Sequence, residues 1–426
     1  MSIKDCPRVP ITDVLSFIVD NRGKTVPTAE TGTPLIATNC ILNERLYPVF
    51  ENIRYVSDDV LQNWFRAHLK PHDILFVNKG TPGRCCLVPD PVTFCAAQDM
   101  IGLRCNAQKI YYRYLLMVLR SAEIQKTISN NHVGLVIPHF KKENLPQLMI
   151  PVPEMEEQKA LGDLYFQLCE KIENNNAICS NLEAMAKLLY DYWFVQFDFP
   201  DENGKPYKSS GGKMAWNDEL KREIPAGWEV NRLGDLISYS RGVSYTGNDM
   251  CDSGTPIISL ASIDRSGRYI PDGIKYYNQD YPSSKVLKPY DLVMANTDMT
   301  QERAVMGKII FVPDIFEGDI LSTHHITKIV IADDFKSYLM MTTQTDWFHK
   351  YIKGFSSGTN VLGMDMVGFE DYMLLCPSKD VLIRFNSIIH NIYKKIFEVY
   401  KENYELASLR DFLLPMLMNG QVKVGA

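Results

Sequence analysis

Apolar residues recur along the chain with two periods, and each change of period marks an element. From Ile150 to Phe194 they fall on a heptad, with Leu161, Leu168, Asn175, Leu182 and Leu189 at one core position and Leu164, Ile178, Met185 and Tyr192 at the next. Lys171 interrupts the second row, and Ile172 takes over its contact. Pro151 and Pro153 hold the entry extended, and Glu154, Glu156 and Glu157 fall in the first turns, where carboxylates complement the helix dipole. A second stretch, from about Val381 to Met418, carries Phe385, Ile392, Val399, Leu406 and Leu413 in its stripe and stops at Asn419-Gly420. Each predicted helix would be roughly 55–60 Å long. Neither buries its stripe alone, so they are expected to pack against each other. Asn175 then either fixes the register or lies solvated in a frayed middle.

Elsewhere the period is short. ATNCIL, HDILFVN, CCLV and MIGLRC, bounded by Gly, Pro or Asp, predict strands, and Tyr111 to Ser129 predicts a helix with Tyr114, Leu115 and Val118 on one face. Much of this recurs. GTPLIATNCI (32–41) returns as GTPIISLASI (254–263), LKPHDILFVN (69–78) as LKPYDLVMAN (287–296), and YLLMVLRS (114–121) as YLMMTTQT (338–345). Ile172, Leu182, Met185 and Leu189 fall on Ile396, Leu406, Leu409 and Leu413. The expected fold is mixed α/β, with two similar globular domains, two long antiparallel helices forming a coiled coil, and an internal pseudo-repeat. The expected boundaries are a first domain over 1–153, a helix over 154–196, an exposed linker over 197–223, a second domain over 224–377 and a second helix over 378–426.

A length of 426 residues suits two domains or more. No run approaches a membrane span and MSIKDCPRVP lacks an apolar signal core, so a cytoplasmic protein is expected. Ten cysteines without a CxxC pair point to reduced thiols rather than a disulfide framework. The net charge of −6 hides a gradient. Residues 1–153 hold 17 basic and 13 acidic groups, 154–196 hold 3 and 8, and 227–377 hold 13 and 19. The first domain is thus mildly basic, its helix acidic, and the second domain gives no electrostatic support for a polyanion unless its basic groups share one face.

Taken together, the duplicated plan, IPVPEMEEQK opening a long helix, DILFVNKGTPGRCCLV, and IPAGWEVNRLGDL opening the second half resemble the specificity subunit of type I restriction-modification systems. The resemblance covers nearly the whole chain. It implies that each globular half is a target-recognition domain reading one part of a split double-stranded DNA sequence, and that the helices are a spacer docking two modification (methyltransferase) subunits. Restriction subunits would join them. The chain itself would be non-catalytic and bind no cofactor, with S-adenosylmethionine, Mg²⁺ and ATP expected only on partner subunits. No NPPY-like tetrapeptide and no Gly-rich cofactor loop after a strand occur, which argues against a fused methyltransferase. The rival class is a duplicated coiled-coil scaffold or adaptor whose globular domains bind protein, with the acidic second domain in its favour.

Under the recognition reading, the turn after HDILFVN offers Asn78, Lys79, Thr81 and Arg84 for DNA contact, and ANTDMTQERAV offers Asn296, Thr297, Gln301 and Arg303 at the same place. Asn21-Arg22-Gly23-Lys24-Thr25 aligns with the segment from Ser240 to Tyr245, which offers Arg22 and Lys24 in one copy and Arg241 and Tyr245 in the other beside a Gly turn, where Arg reaches phosphates or pairs with guanine. Lys141 and Lys142, with His139, make a basic edge. Competing readings are a solvated loop for each of these. Gly80 to Arg84 lacks the Gly-Lys-Ser/Thr ending of a phosphate loop, and His324-His325 has no second metal-ligand cluster, leaving a base contact or a strand histidine. Glu157-Gln158-Lys159 has no Pro-Asp pair to make a nuclease motif and reads as helix capping.

Overall fold

The computed structural model describes residues 6–21, 23, 25–50, 52–131 and 138–421, a mixed α/β chain that divides into two compact units. The first holds residues 1–176 and 403–426, the second 177–402.

In the first unit the strand Ile74–Val77 is buried along its whole length because both its faces are covered. Ile74 and Phe76 face one apolar cluster, with the helix Tyr112–Arg120, while Leu75 and Val77 face another, with Ile36 and Cys86. That is why HDILFVN reads as an unbroken apolar run. The sheet order is Leu15–Val19, Met100–Cys105, Ile74–Val77, Cys85–Leu87, all antiparallel. A smaller sheet pairs Thr33–Ile36 antiparallel with Arg54–Val56 and parallel with Cys95–Ala96. ATNCIL is therefore not a strand of its own: the strand ends at Ile36, and Thr38–Cys40 is a tight 3₁₀ turn closed by the Cys40 amide on the Ala37 carbonyl. The helix expected over 111–129 is two, Tyr112–Arg120 and Ala122–Asn131, because Ser121 turns extended and its hydroxyl caps the Val118 carbonyl.

Within the second unit the order is Ser238–Arg241, Ile326–Val330, Leu292–Ala295, Ile309–Phe311, again antiparallel. Thr255–Ile258 pairs antiparallel with Lys275–Tyr277 and parallel with Leu321–Ser322. Leu292 and Met294 face one cluster, Val293 and Ala295 another. The expected linker is partly folded. Phe199 stacks on Tyr207 at 4.6 Å and on Trp228 at 5.1 Å, and Met214–Asn217 pairs with Arg222–Pro225. Aromatic burial outweighs the Pro, Gly and Ser content there, and most of 201–213 stays exposed.

The long helices run over Met155–Tyr190 and Lys379–Met418, and Gly420, at φ 64°, ends the second. In the first helix the row at Leu161, Leu168, Asn175, Leu182 and Leu189 faces inward as expected, buried or half-buried. The second row is displaced by one residue. Tyr165, Ile172, Cys179, Ala186 and Trp193 are buried, while Ile178, Met185 and Tyr192 are exposed and Leu164 is half-buried. Ile172, which replaces Lys171 in the seam, belongs to this buried row. In the second helix Phe385, Ile392, Val399, Leu406 and Leu413 face inward alongside Ile389, Ile396, Asn403, Arg410 and Leu417. Within the first unit Leu417 packs in the cluster of Leu161, and Asn403 bonds Asn175 at 2.8 Å and Asn176 at 3.0 Å. Within the second, Phe385 meets Tyr190 and Trp193, and Cys179 meets Ile396. The paired stretches thus run in opposite directions in each unit.

Candidate nucleic-acid interface

In the first unit three backbone segments converge where the central strand ends. The Asn78 and Lys79 amides donate to the Asp99 carbonyl at 3.0 and 3.3 Å, and the Phe140 amide donates to the Asn78 carbonyl at 2.8 Å. Asn78 is buried, and its side-chain amide donates to the Phe140 carbonyl at 3.0 Å. It therefore braces the loop from beneath rather than presenting a polar group at the surface. Around it Gly23, Thr25, Lys79, Gln98, Asp99 and His139 line an open cavity of about 380 Å³. Lys79 is exposed and Thr81 and Arg84 half-buried on the adjoining turn, where Gly80 and Gly83 take φ of 88° and 95°. Lys141 is exposed, whereas Lys142 pairs with Asp20 at 3.2 Å. Arg22 and Lys24 lie outside the described residues.

The second unit repeats this frame with other side chains. The Asn296 amide donates to the His325 carbonyl at 3.0 Å, and buried Asn296 donates its side-chain amide to the His324 carbonyl at 3.3 Å. Thr297 stands where the first unit has Lys79, and its hydroxyl lies 2.9 Å from His325 Nδ1. Tyr245 lies against the two imidazoles, with ring centroids 5.5 Å from His324 and 6.5 Å from His325. Burial first, and then His324, push the His325 pKa down from 6.5, so the ring is neutral at physiological pH. Arg241 is exposed and Gln301, also exposed, donates to the Thr359 carbonyl at 3.0 Å. Arg303 turns back into the fold, with φ 54° and Nη1 3.4 Å from the Lys353 carbonyl. Buried Asp298 holds that loop, accepting from the Thr300 and Val305 amides at 2.7 and 2.8 Å.

The sites thus gather Lys79 with Thr25, Gln98, Asp99 and His139 in one unit, and Thr297 with Tyr245, His324 and His325 in the other. Gln98 and Asp99 are absent from the sequence-derived candidates. A signal for them exists, since QDMIGL stands in the repeat where HHITKI does. Among the described residues no cluster of three or more His, Cys, Asp or Glu has metal-site geometry, and no helix is long and apolar enough to cross a membrane.

Each unit also ties a loop of its globular part to the first long helix through a carboxylate. Arg45 pairs with Glu173 at 2.8 Å, and Glu173 also accepts the Leu46 amide at 2.6 Å. Arg268 lies 3.5 Å from Glu183 and 2.7 Å from Asp264. Burial outweighs the Arg268 guanidinium and raises Glu183 from 4.5 to about 7.

A family model described as Type I restriction modification DNA specificity domain matches residues 7–184. The chain is 24% identical over 358 residues to the type I restriction enzyme MjaIX specificity subunit of Methanocaldococcus jannaschii, covering 82% of this chain and 78% of that one. It is 23% identical over 456 residues to the type I restriction enzyme HindI specificity subunit of Haemophilus influenzae, covering 88% and 95%. A crystal structure of a type I restriction-modification S subunit from M. genitalium superposes with a TM-score of 0.56 at 14% identity, over 97% of this chain and 96% of that one.

Proposed function

We propose that this chain is a specificity subunit of a type I restriction-modification system, a reading supported by the matched domain and by its relatives. It recognises a bipartite DNA sequence and directs adenine methylation and restriction by partner subunits, without carrying the reaction itself. The observation that bears most weight is the repeated frame. One buried Asn in each unit braces the same strand end, while the groups beside it differ, which suits two domains reading two different half-sites. The matched domain and the relatives favour this over an adaptor that binds protein.

The equal strand orders of the two units support reading the chain as an internal duplication, a target-recognition domain within 1–153 and another within 224–377. The helices are then the spacer that fixes the distance between half-sites, with the inward rows of Leu161, Ile172, Phe385 and Ile396 as their seam. Phosphate or base contact is assigned to Lys79, Lys141 and Arg241, which are exposed, and to Thr81 and Arg84, which are half-buried, with Thr297, Tyr245 and Gln301 as polar contacts. Asn78 and Asn296 act through the loops they hold. Two methyltransferase subunits bring S-adenosylmethionine, and the restriction subunits bring Mg²⁺ and ATP. Action in the cytoplasm is consistent with ten free thiols.

The test is to express the chain with its methyltransferase partner and map modified adenines by sequencing. Methylation confined to one interrupted motif is expected. Methylation without sequence preference, or none with the intact complex, defeats the reading.

A further inference from the structure

The residues immediately before the strands Met100–Cys105 and Ile326–Val330 occupy one place in the two units. The ladder pairs Val77 with Met100 and Ala295 with Ile326, so Gln98-Asp99 and His324-His325 are equivalent. Their backbone is fixed in the same way, since Asp99 and His325 each offer a carbonyl to the amide of the buried Asn. Their side chains are chemically opposed. Gln98 and Asp99 are half-buried at the cavity with Lys79 and His139. His324 and His325 are half-buried beside Tyr245, with ring centroids 3.9 Å apart.

We propose that this dipeptide is a specificity-determining position for each half-site, Gln98-Asp99 for the half read by the first unit and His324-His325 for the half read by the second. The proposal rests on the recognition reading and goes beyond it by naming the readers. An ionised Asp only accepts, so Asp99 selects a base edge that donates, the exocyclic amine of cytosine or adenine, and Gln98 adds an amide able to pair with adenine. In the second unit Thr297 engages His325 Nδ1 and leaves Nε2 as the ring's remaining polar atom. With the Thr297 hydroxyl donating to Nδ1, Nε2–H is a donor suited to the N7 and O6 acceptors of guanine. A rigid backbone carrying interchangeable side chains is how one scaffold would read two unrelated sequences.

The experiment uses the full chain in complex with its methyltransferase partner, once its motif is known, and measures methylation of duplexes bearing every single-base change. Asp99→Asn should alter preference about tenfold or more at one position in one half and leave the other half unchanged. His325→Gln should do the mirror image. Asp99→Glu, which keeps the charge, should retain the original base preference while lowering the rate. Thermal unfolding is recorded for each variant, and Gln98→Ala replaces Asp99→Asn if that variant does not fold. An unchanged profile, or an equal loss on all duplexes, overturns the assignment. A wild-type complex with no sequence preference would defeat the recognition reading itself, a distinguishable outcome.

Discussion

Single residues carry more of the fold than their chemistry announces. Gln158 is buried, accepts the Tyr111 amide at 2.8 Å and donates to the Pro153 carbonyl at 2.9 Å, closing the gap between strand and helix. Gln158→Ala leaves the Tyr111 amide unpaired and should destabilise the first unit by about 1–3 kcal/mol in urea unfolding. Glu183 makes a pH prediction. Its folded pKa of about 7 lies above the ordinary 4.5, so the folded state binds its proton more tightly. Stability is then greatest below pH 4.5 for this group and is lost as pH rises toward 7. The second unit's unfolding midpoint should fall between pH 5 and 8, and Glu183→Gln should flatten that fall. Neither role is legible in the sequence. Gln158 reads there as one letter of a helix start, and the burial of Glu183 depends on Arg268 and Tyr400, which are 85 and 217 residues away. Asn78 and Asn296 were legible as special but not as buried, because a polar residue ending a strand looks the same whether it faces solvent or a carbonyl.

At the scale of elements, the helices were legible in extent and misplaced in register. The row at Ile178, Met185 and Tyr192 is the more hydrophobic, yet the buried row holds Cys179 and Ala186, because small side chains let two helices approach. The partner row was obscured by Asn403 and Arg410, polar residues at seam positions. Asn175 is buried against Asn403, and this pair gives the seam a register that apolar residues would leave free to slip. Asn403→Leu removes the bonds to both Asn175 and Asn176 and should cost about 1–3 kcal/mol, while adding Asn175→Leu should recover part of it. A double-mutant cycle in urea measures the coupling, and additive losses would refute a direct pair. Close approach also explains Gly162, where a Cβ would lie 2.6 Å from the Tyr114 amide nitrogen. Gly162→Ala should therefore destabilise by about 1–3 kcal/mol despite alanine's better helix propensity, read as a lower urea midpoint.

For the whole molecule, the apolar row that the seam rejects becomes the informative one. Ile178, Met185 and Leu188 are exposed on the second unit's stretch of the first helix, with Leu188 at 68%, and Tyr192 and Val195 are exposed on the π-helical turn Asp191–Val195 that continues it. Their spacings of three, four and seven put them on one face. An exposed apolar face marks an interaction surface, and under the proposed function the partner expected along the helices is the methyltransferase subunit. Charge argues for protein rather than DNA here, since residues 154–196 hold 8 acidic against 3 basic groups. Replacing Met185 and Leu188 together with glutamate touches no seam residue, so the chain should keep its unfolding midpoint within about 0.5 kcal/mol of wild type. Co-purification with the methyltransferase subunit should drop at least tenfold, and sequence-specific methylation with it. Asp99→Asn supplies the contrast, because it should alter the bases chosen without weakening assembly. If the double glutamate variant still recovers a full complement of methyltransferase, the exposed face is not the docking site.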